Sequence, residues 1–205
     1  ASALALAEQG GSDVLVDLAD LLADPEAPAR VAAAHAVSVH GRDAGVPLLR
    51  LKALAGDPEP RVVTECLLAL LRLDPERSLP FVAAFLERSE GAAAAAAALG
   101  ESRLEKALPV LAAWLDRASR PGSRRAALLA IAALRRDEAV DLLLSVVREG
   151  PAPAARDALD ALATIGGGGA LLDRAKAAVG SRRDLGDALV RAFGHGTSPR
   201  RPPYD

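Results

Sequence analysis

The sequence is poor in cysteine and in aromatic residues. Its 205 residues include one cysteine, one Trp, one Tyr and three Phe. A single cysteine excludes an internal disulfide, and the scarcity of large aromatic side chains disfavours a sheet core. The apolar content, 51% of the chain, is carried mainly by Ala, Leu and Val. Such small and medium side chains favour closely packed helices, so we expect an all-helical protein.

The sequence also lacks long hydrophobic runs and a strong net charge. No apolar stretch reaches the ~20 residues that a membrane-spanning helix needs, and no charged-then-apolar leader is visible. We therefore expect no membrane association and a cytoplasmic location. The formal net charge of −2 indicates no partner by itself. Arg supplies 22 of the 25 basic residues, a bias typical of GC-rich bacterial genomes.

Two types of segment alternate along the chain. The first type begins with Arg and continues with small and apolar residues, and its copies are Arg30–Val39, Arg61–Leu70, Arg125–Leu134 and Arg156–Ile165. Glu90–Leu99 is a degenerate copy that contains seven consecutive alanines. The copies begin 29 to 35 residues apart. Apolar residues recur with the 3.6-residue period of an amphipathic helix, so each copy predicts a helix.

The second type of segment reads small-apolar-Pro-apolar-apolar. Its copies are Gly45–Leu49, Ser78–Val82, Ala107–Leu111 and Ala139–Leu143, the last with Asp in place of Pro. Their third positions lie 29 to 33 residues apart, the period of the first type. Proline is tolerated in the first turn of a helix, and Asp-Pro pairs at 24, 57 and 74 indicate helix starts. Two helices per period predict stacked helical hairpins.

The helix map follows from these signals, with bounds good to about 2–4 residues. The predicted helices are at about 1–9, 12–23, 26–39, 43–55, 58–72, 75–88, 90–99, 101–117, 121–134, 136–149, 151–165, 168–179 and 182–194. We expect a right-handed all-α superhelix of about six helix pairs, as a single domain over residues 1–194. Residues 195–205 are predicted to be a disordered tail. The opening Ala3–Gln9 resembles the end of a first-type helix, so we expect a fragment of a longer protein.

The combined pattern resembles a known repeat family. Asp-Pro followed by Arg-x-x-Ala-x-x-Ala-Leu, and then a helix opening with Ala-x-Pro-x-Leu, is similar to the short HEAT-like repeats named after phycobilisome lyases. These repeats form armadillo-like α-solenoids. The resemblance covers residues 1–194, with Asp57–Arg61 as a good copy and Glu90 as a departure. It implies a wide, curved binding surface. Bilin lyase activity is disfavoured because one Trp and one Tyr are poor material for a tetrapyrrole pocket.

Residues with catalytic or metal-binding chemistry are few. His35 and His40 lie about 140° apart around a helix, unlike the i, i+4 pair that binds zinc. Some HEAT-like hydroxylases bind iron through His-Glu pairs, but no histidine of this chain precedes a glutamate. Cys66 shares its repeat position with His35, and a small structural role is favoured over a Cys–His nucleophile. Gly166–Gly169 lacks the Lys-Ser/Thr of a phosphate-binding loop. We expect no catalytic residue, metal or cofactor, and no enzyme.

The predicted function is protein binding along the concave surface, which we expect the second helices to line. The candidate residues are Arg50, Lys52, Arg103, Lys106, Trp114, Arg117 and Arg124. An exposed Trp114 would suit a binding hot spot, although its repeat position favours the core. The partner is expected to be a protein of unknown identity, and the oligomeric state stays open.

Nucleic-acid binding is the alternative function, and it depends on an arginine cluster. The cluster holds six arginines within residues 117–136, and arginine suits phosphate recognition. Asp116, Asp137 and Glu138 dilute its charge, and aromatic side chains for base stacking are scarce. Protein binding is therefore the favoured reading.

Overall fold

The computed structural model describes residues 12–40, 42–166 and 168–194. This part of the chain contains helices and no strand. The α-helices are α1 Ser12–Leu21, α2 Ala27–His40, α3 Arg42–Ala55, α4 Pro60–Leu73, α5 Pro75–Phe85, α6 Ala92–Ser102, α7 Ala107–Arg117, α8 Pro121–Ala133, α9 Asp137–Glu149, α10 Ala152–Ile165, α11 Gly168–Val179 and α12 Gly186–Gly194, with a 3₁₀ turn at Arg183–Leu185. The all-α prediction is confirmed. The predicted helix at 1–9 and the tail at 195–205 lie outside the described residues.

The Asp-Pro pairs mark helix starts in two ways. Before α5, the carboxylate of Asp74 accepts a hydrogen bond from the backbone N–H of Arg77 over 3.1 Å. This cap starts α5 at the predicted place. Asp57 instead accepts the backbone N–H of Glu59 over 2.9 Å, and α4 begins only at Pro60. The second arrangement leaves most of the Asp57 carboxylate available for side chains of the neighbouring pair.

The predicted start of α7 near residue 101 was wrong. α6 continues to Ser102, and α7 begins at Ala107. Arg103 follows α6 with φ 55°, in the left-handed region that commonly ends a helix. The Ser102 hydroxyl donates to the carbonyl of Leu99 over 2.6 Å and accepts the backbone N–H of Leu104 over 3.3 Å. These bonds satisfy the helix end, so the turn to α7 takes four residues that the sequence pattern had placed in the helix.

The helices stack as pairs in an all-α solenoid. Each first helix packs closely on the next first helix, in the order α2, α4, α6, α8, α10 and α12. The second helices α3, α5, α7, α9 and α11 lie further apart from one another, with their closest approach between α9 and α11. The described part of the chain therefore holds five complete pairs, preceded by α1 and followed by α12.

Small residues allow the first helices to approach so closely. A Cβ atom added at Gly100 of α6 would lie 2.9 Å from the Cα atom of Ala130 in α8, closer than real Cβ contacts. The backbones of α6 and α8 therefore touch at this point. The alanine run Ala92–Ala98 belongs to the same helix, and it marks a tightly packed point in the stack.

A continuous apolar core follows this column of first helices. α4 lies at its centre, and ten consecutive residues, Val62–Leu71, are buried. Neighbours on several sides, α2, α3, α5 and α6, cover this helix. The second helices contribute Phe85 and Trp114 to this core, and both are buried. No helix in the described residues is both long and apolar enough to span a bilayer.

Candidate functional site

Two cations predicted to bind a partner form ion pairs between successive helix pairs. The Nζ atom of Lys106 lies 2.7 Å from the Oε1 atom of Glu76, and the Nη2 atom of Arg117 lies 2.8 Å from the Oε1 atom of Glu87. Both pairs connect residues 30 positions apart, which is one repeat. They are well exposed, and such pairs contribute about 0–1 kcal/mol each. Their role in partner binding stays a prediction.

The ion pair that joins α2 to the turn before α4 is better buried. Only 1% of the Asp57 side chain is exposed, and it receives two hydrogen bonds of 2.8 Å from the guanidinium of Arg30. Lys52 adds its Nζ atom at 2.8 Å. These hydrogen bonds, that from Arg30 first, hold the pKa of Asp57 well below its usual range. The repeat's Arg therefore joins neighbouring helix pairs, and Lys52, another predicted binding residue, takes part in the same anchor.

Further along the stack, the anchor takes a looser form. The Nε atom of Arg124 lies 3.5 Å from the Asp157 carboxylate, and the Nη1 atom of Arg125 lies 4.0 Å from it. Both arginines belong to α8, and Asp157 belongs to α10. Arg124, predicted to bind a partner, thus holds two first helices together.

Two other predicted binding residues lie against the core. Trp114 is only 6% exposed, as its repeat position favoured. The guanidinium carbon of Arg50 lies 4.8 Å from the ring centroid of Phe81, and its Nη2 atom donates to the carbonyl of Arg77 over 3.2 Å. Arg50 therefore packs on the next second helix, α5, rather than extending freely.

The arginine cluster at 117–136 divides into paired and unpaired members. Arg117, Arg124 and Arg125 face the carboxylates named above, and Arg136 lies 3.6 Å from both Glu105 and Glu138. Within the described residues, the two other members, Arg120 and Arg135, have no acidic partner within salt-bridge distance. The cluster is therefore largely neutralised in place.

A polar network lies on the first helices where the sequence suggested a Cys–His pair. Cys66 is fully buried, and burial raises the pKa of its thiol to about 12, so the reactive thiolate is not available. His35 contacts Glu65 instead, with its Nδ1 atom 3.0 Å from the Oε1 atom. Arg72 places its Nη1 atom 3.1 Å from the same oxygen. The Glu65 side chain is 6% exposed, and a buried carboxylate needs such partners.

Next to this network, the C-terminal ends of four first helices surround a groove of about 320 Å³. Its lining comes from α4, α6, α8, α10 and the turns after α6 and α8, and consists of Arg72, Glu101, Arg103, Ala132, Ala133, Arg135, Thr164 and Ile165. Four successive repeats thus build one concave site. Of the predicted binding residues it contains Arg103. The sequence signal that could have revealed it is Arg135, which stands where the next repeat has Gly166.

The charges of the groove are only partly balanced. Arg72 faces Glu65, as described, and Glu101 lies 2.9 Å from Arg61 of α4. Arg103 and Arg135 have no ion-pair partner in the described part of the chain. The groove can therefore receive an anionic group. Among the residues that the structure describes, no three His, Cys, Asp or Glu side chains come together as a metal site.

Comparisons with known proteins find similarity among solved structures alone. No family model matches the chain, and no curated protein matches it. Among solved structures, human deoxyhypusine hydroxylase in complex with glycerol is similar, with 19% identity over 94% of this chain and 78% of that one, and a TM-score of 0.43. A HEAT-like repeat fold is therefore supported by the stacked helix pairs themselves, and the phycobilisome-lyase type of repeat stays a prediction.

The expectation that the chain is not an enzyme is corrected by this comparison. The similar structure is that of an enzyme, a hydroxylase. No residue role, substrate or metal is carried over at this level of similarity.

Proposed function

We propose that the chain is a HEAT-like scaffold that binds a protein partner along the solvent-facing side of its second helices. One observation carries this proposal, an exposed apolar stripe on α3. Leu51 is 67% exposed and Leu54 is 49% exposed. Pro47 lies on the same face, because positions i, i+4 and i+7 align along a helix. Exposed, grouped apolar side chains are typical of binding sites.

The matching positions of other second helices are less apolar. Four residues after the proline, α5 has Ala84 and α7 has Ala113, where α3 has Leu51. Seven residues after it, the chain has Glu87 and Asp116 in place of Leu54. The proposed contact is therefore centred on α3 and becomes more polar along the stack, as an apolar centre with a charged rim requires.

Lys106 and Arg117, two of the predicted binding residues, belong to that rim. Lys106 and Arg117 stay more than half exposed while they are paired, so partner carboxylates can reach them.

A cytoplasmic location is also part of the proposal. The supporting observation is that the chain's one cysteine is a buried free thiol, which needs no oxidising compartment.

The test is affinity capture from a lysate of the organism that encodes the chain, with and without nuclease, read by mass spectrometry. The bait is compared with Leu51→Glu and with Ala84→Glu, which introduces the same charge at the matching position of α5. We expect a protein that is retained after nuclease, lost with Leu51→Glu and kept with Ala84→Glu.

Two outcomes would overturn the proposal. Loss of every captured protein on nuclease treatment, with nucleic acid in the untreated eluate, would favour the nucleic-acid alternative. Equal capture by both variants would show that the α3 stripe is not the contact.

A further inference from the structure

The groove at the ends of α4, α6, α8 and α10 carries positive charge that its surroundings do not neutralise. Arg72 is balanced by Glu65 at 3.1 Å. Glu101 is balanced by Arg61 at 2.9 Å. Arg103 and Arg135 line the same groove, and neither has an acidic partner among the described residues. Guanidinium groups bind carboxylates through paired, charge-assisted hydrogen bonds. An anion in this groove would complete the pairing.

The backbone at these two arginines is unusual. Arg103 has φ 55° and Arg135 has φ 52°, and they are the only non-glycine residues with positive φ in the part of the chain that the structure describes. Glycine takes this conformation most easily, and Gly166, the residue that matches Arg135 in the next repeat, has φ 68°. An arginine at such a position carries some backbone strain, so the turn by itself does not favour this residue over glycine.

The rest of the lining restricts the shape of an occupant. Ala132, Ala133 and Ile165 supply small or medium apolar side chains. The Thr164 hydroxyl already donates to the carbonyl of Ala161 over 2.7 Å, so the arginines remain the main donors. A group with a short apolar stem and an anionic end fits this lining. The volume of about 320 Å³ is at the lower end of the range for ligand pockets.

We infer that the groove binds an acidic segment of a protein partner, with Arg103 and Arg135 donating to its Asp or Glu carboxylates. The inference rests on the proposed protein-binding role and adds a second surface to it. A nucleic acid is disfavoured because none of the lining residues is aromatic, and base stacking supplies much of the affinity for single strands. Arg136, which follows Arg135 in the chain and could extend a phosphate track, already faces the carboxylates of Glu105 and Glu138.

The test measures binding by fluorescence anisotropy with the full chain. The probes are a short labelled peptide of alternating glutamate and alanine, its glutamine counterpart, and a single-stranded oligonucleotide of equal charge. The variant Arg103→Gln/Arg135→Gln removes both unpaired charges. The control Arg120→Gln/Arg148→Gln removes two exposed arginines that lie outside the groove, and so changes the net charge equally.

We expect the glutamate peptide to bind, the glutamine peptide not to bind, and the groove variant to weaken binding by at least about tenfold. The control variant should retain the affinity within about twofold. A second variant, Arg103→Gly/Arg135→Gly, removes the charges while it relieves the backbone, so a loss of binding there is not caused by misfolding. Thermal unfolding of each variant checks this point.

Three different results would contradict this inference. Equal weakening by the groove and control variants would mean general charge attraction and would overturn the site. Tighter binding of the oligonucleotide, lost with the same two arginines, would overturn the choice of ligand, as would no binding of the glutamate peptide. These failures leave the α3 stripe untouched, because Leu51→Glu tests that surface separately.

Discussion

The first and second helices of this stack meet their neighbours in different ways. Between first helices, contact is made by backbone and small side chains, as where Gly100 meets Ala130, and by a buried ion pair at Asp57. Between second helices, contact is made by exposed pairs such as Lys106 with Glu76. The contacts between first helices therefore contribute more to the stability of the stack. The exposed surface of the second helices is less constrained by packing. Changes of the same chemistry should have unequal effects in the two layers.

The largest difference in the free energy of unfolding is expected between substitutions at two glycines. Gly100→Ala places a methyl group against the backbone of α8, which cannot yield as a side chain can, and should cost about 3 kcal/mol or more of the free energy of unfolding. Gly122→Ala adds a methyl group where no atom lies within 4 Å, and should stabilise α8 by up to about 1 kcal/mol. Urea unfolding measures both. A small loss with Gly100→Ala would contradict the close packing of the first helices.

The next largest difference in the free energy of unfolding is expected between substitutions at two carboxylates. Asp57→Asn weakens a buried pair and should cost about 2 kcal/mol, whereas Glu87→Gln affects an exposed pair and should cost less than about 0.5 kcal/mol. Because the pKa of Asp57 is lowered in the folded chain, its contribution is complete above the unfolded value of about 3.9 and is lost as the pH falls below it.

Urea unfolding from about pH 6 down to about pH 2 would show this dependence for the parent chain and a flatter one for Asp57→Asn. An unchanged slope in Asp57→Asn would show that another group governs the acid sensitivity.

A smaller effect is expected at the helix ends. Arg135→Gly removes a side chain from a left-handed position, so its stability should be unchanged or higher by up to about 1 kcal/mol. Gly166→Ala introduces a side chain at the matching position, which has φ 68°, and should cost about 1 kcal/mol. Thermal unfolding compares the two. A clear loss with Arg135→Gly would mean that the arginine stabilises the fold rather than serving the groove.

The smallest effect is expected on the second helices. Leu51→Glu replaces a side chain that is mostly in solvent, so the free energy of unfolding should change by less than about 0.5 kcal/mol. Circular dichroism during urea unfolding checks this. A larger loss would mean that Leu51 is packed in solution, which would remove it as a docking residue.

Much of the fold was predictable because every repeat carries the same sequence signals for its two helices. The period fixed the number of helices in the described residues, and α9, predicted at about 136–149, is Asp137–Glu149 in the structure. The missed boundary at Arg103 depends on one residue's left-handed backbone, which side-chain periodicity does not encode. Similarly, the repeat spacing allowed a pair such as Arg117 with Glu87, but its formation depends on side-chain directions.

The candidate site was harder to predict. The groove gathers Arg72, Glu101, Arg103, Arg135 and Thr164 from four repeats, and their convergence depends on how each pair is rotated on the last. A single sequence gives the period of a solenoid but not this rotation. Exposure of Leu51 was also beyond the pattern, since apolar residues at helical spacing usually indicate core.

The burial of α4 on all sides has a consequence for synthesis of the chain. Val62–Leu71 is a run that only neighbours on both sides can cover, and α6 lies about 30 residues later. At translation rates of roughly 5–20 residues per second, Val62–Leu71 stays uncovered for a few seconds before α6 has been synthesised. During that interval it is a hydrophobic segment in water, where it can associate with other unfolded chains.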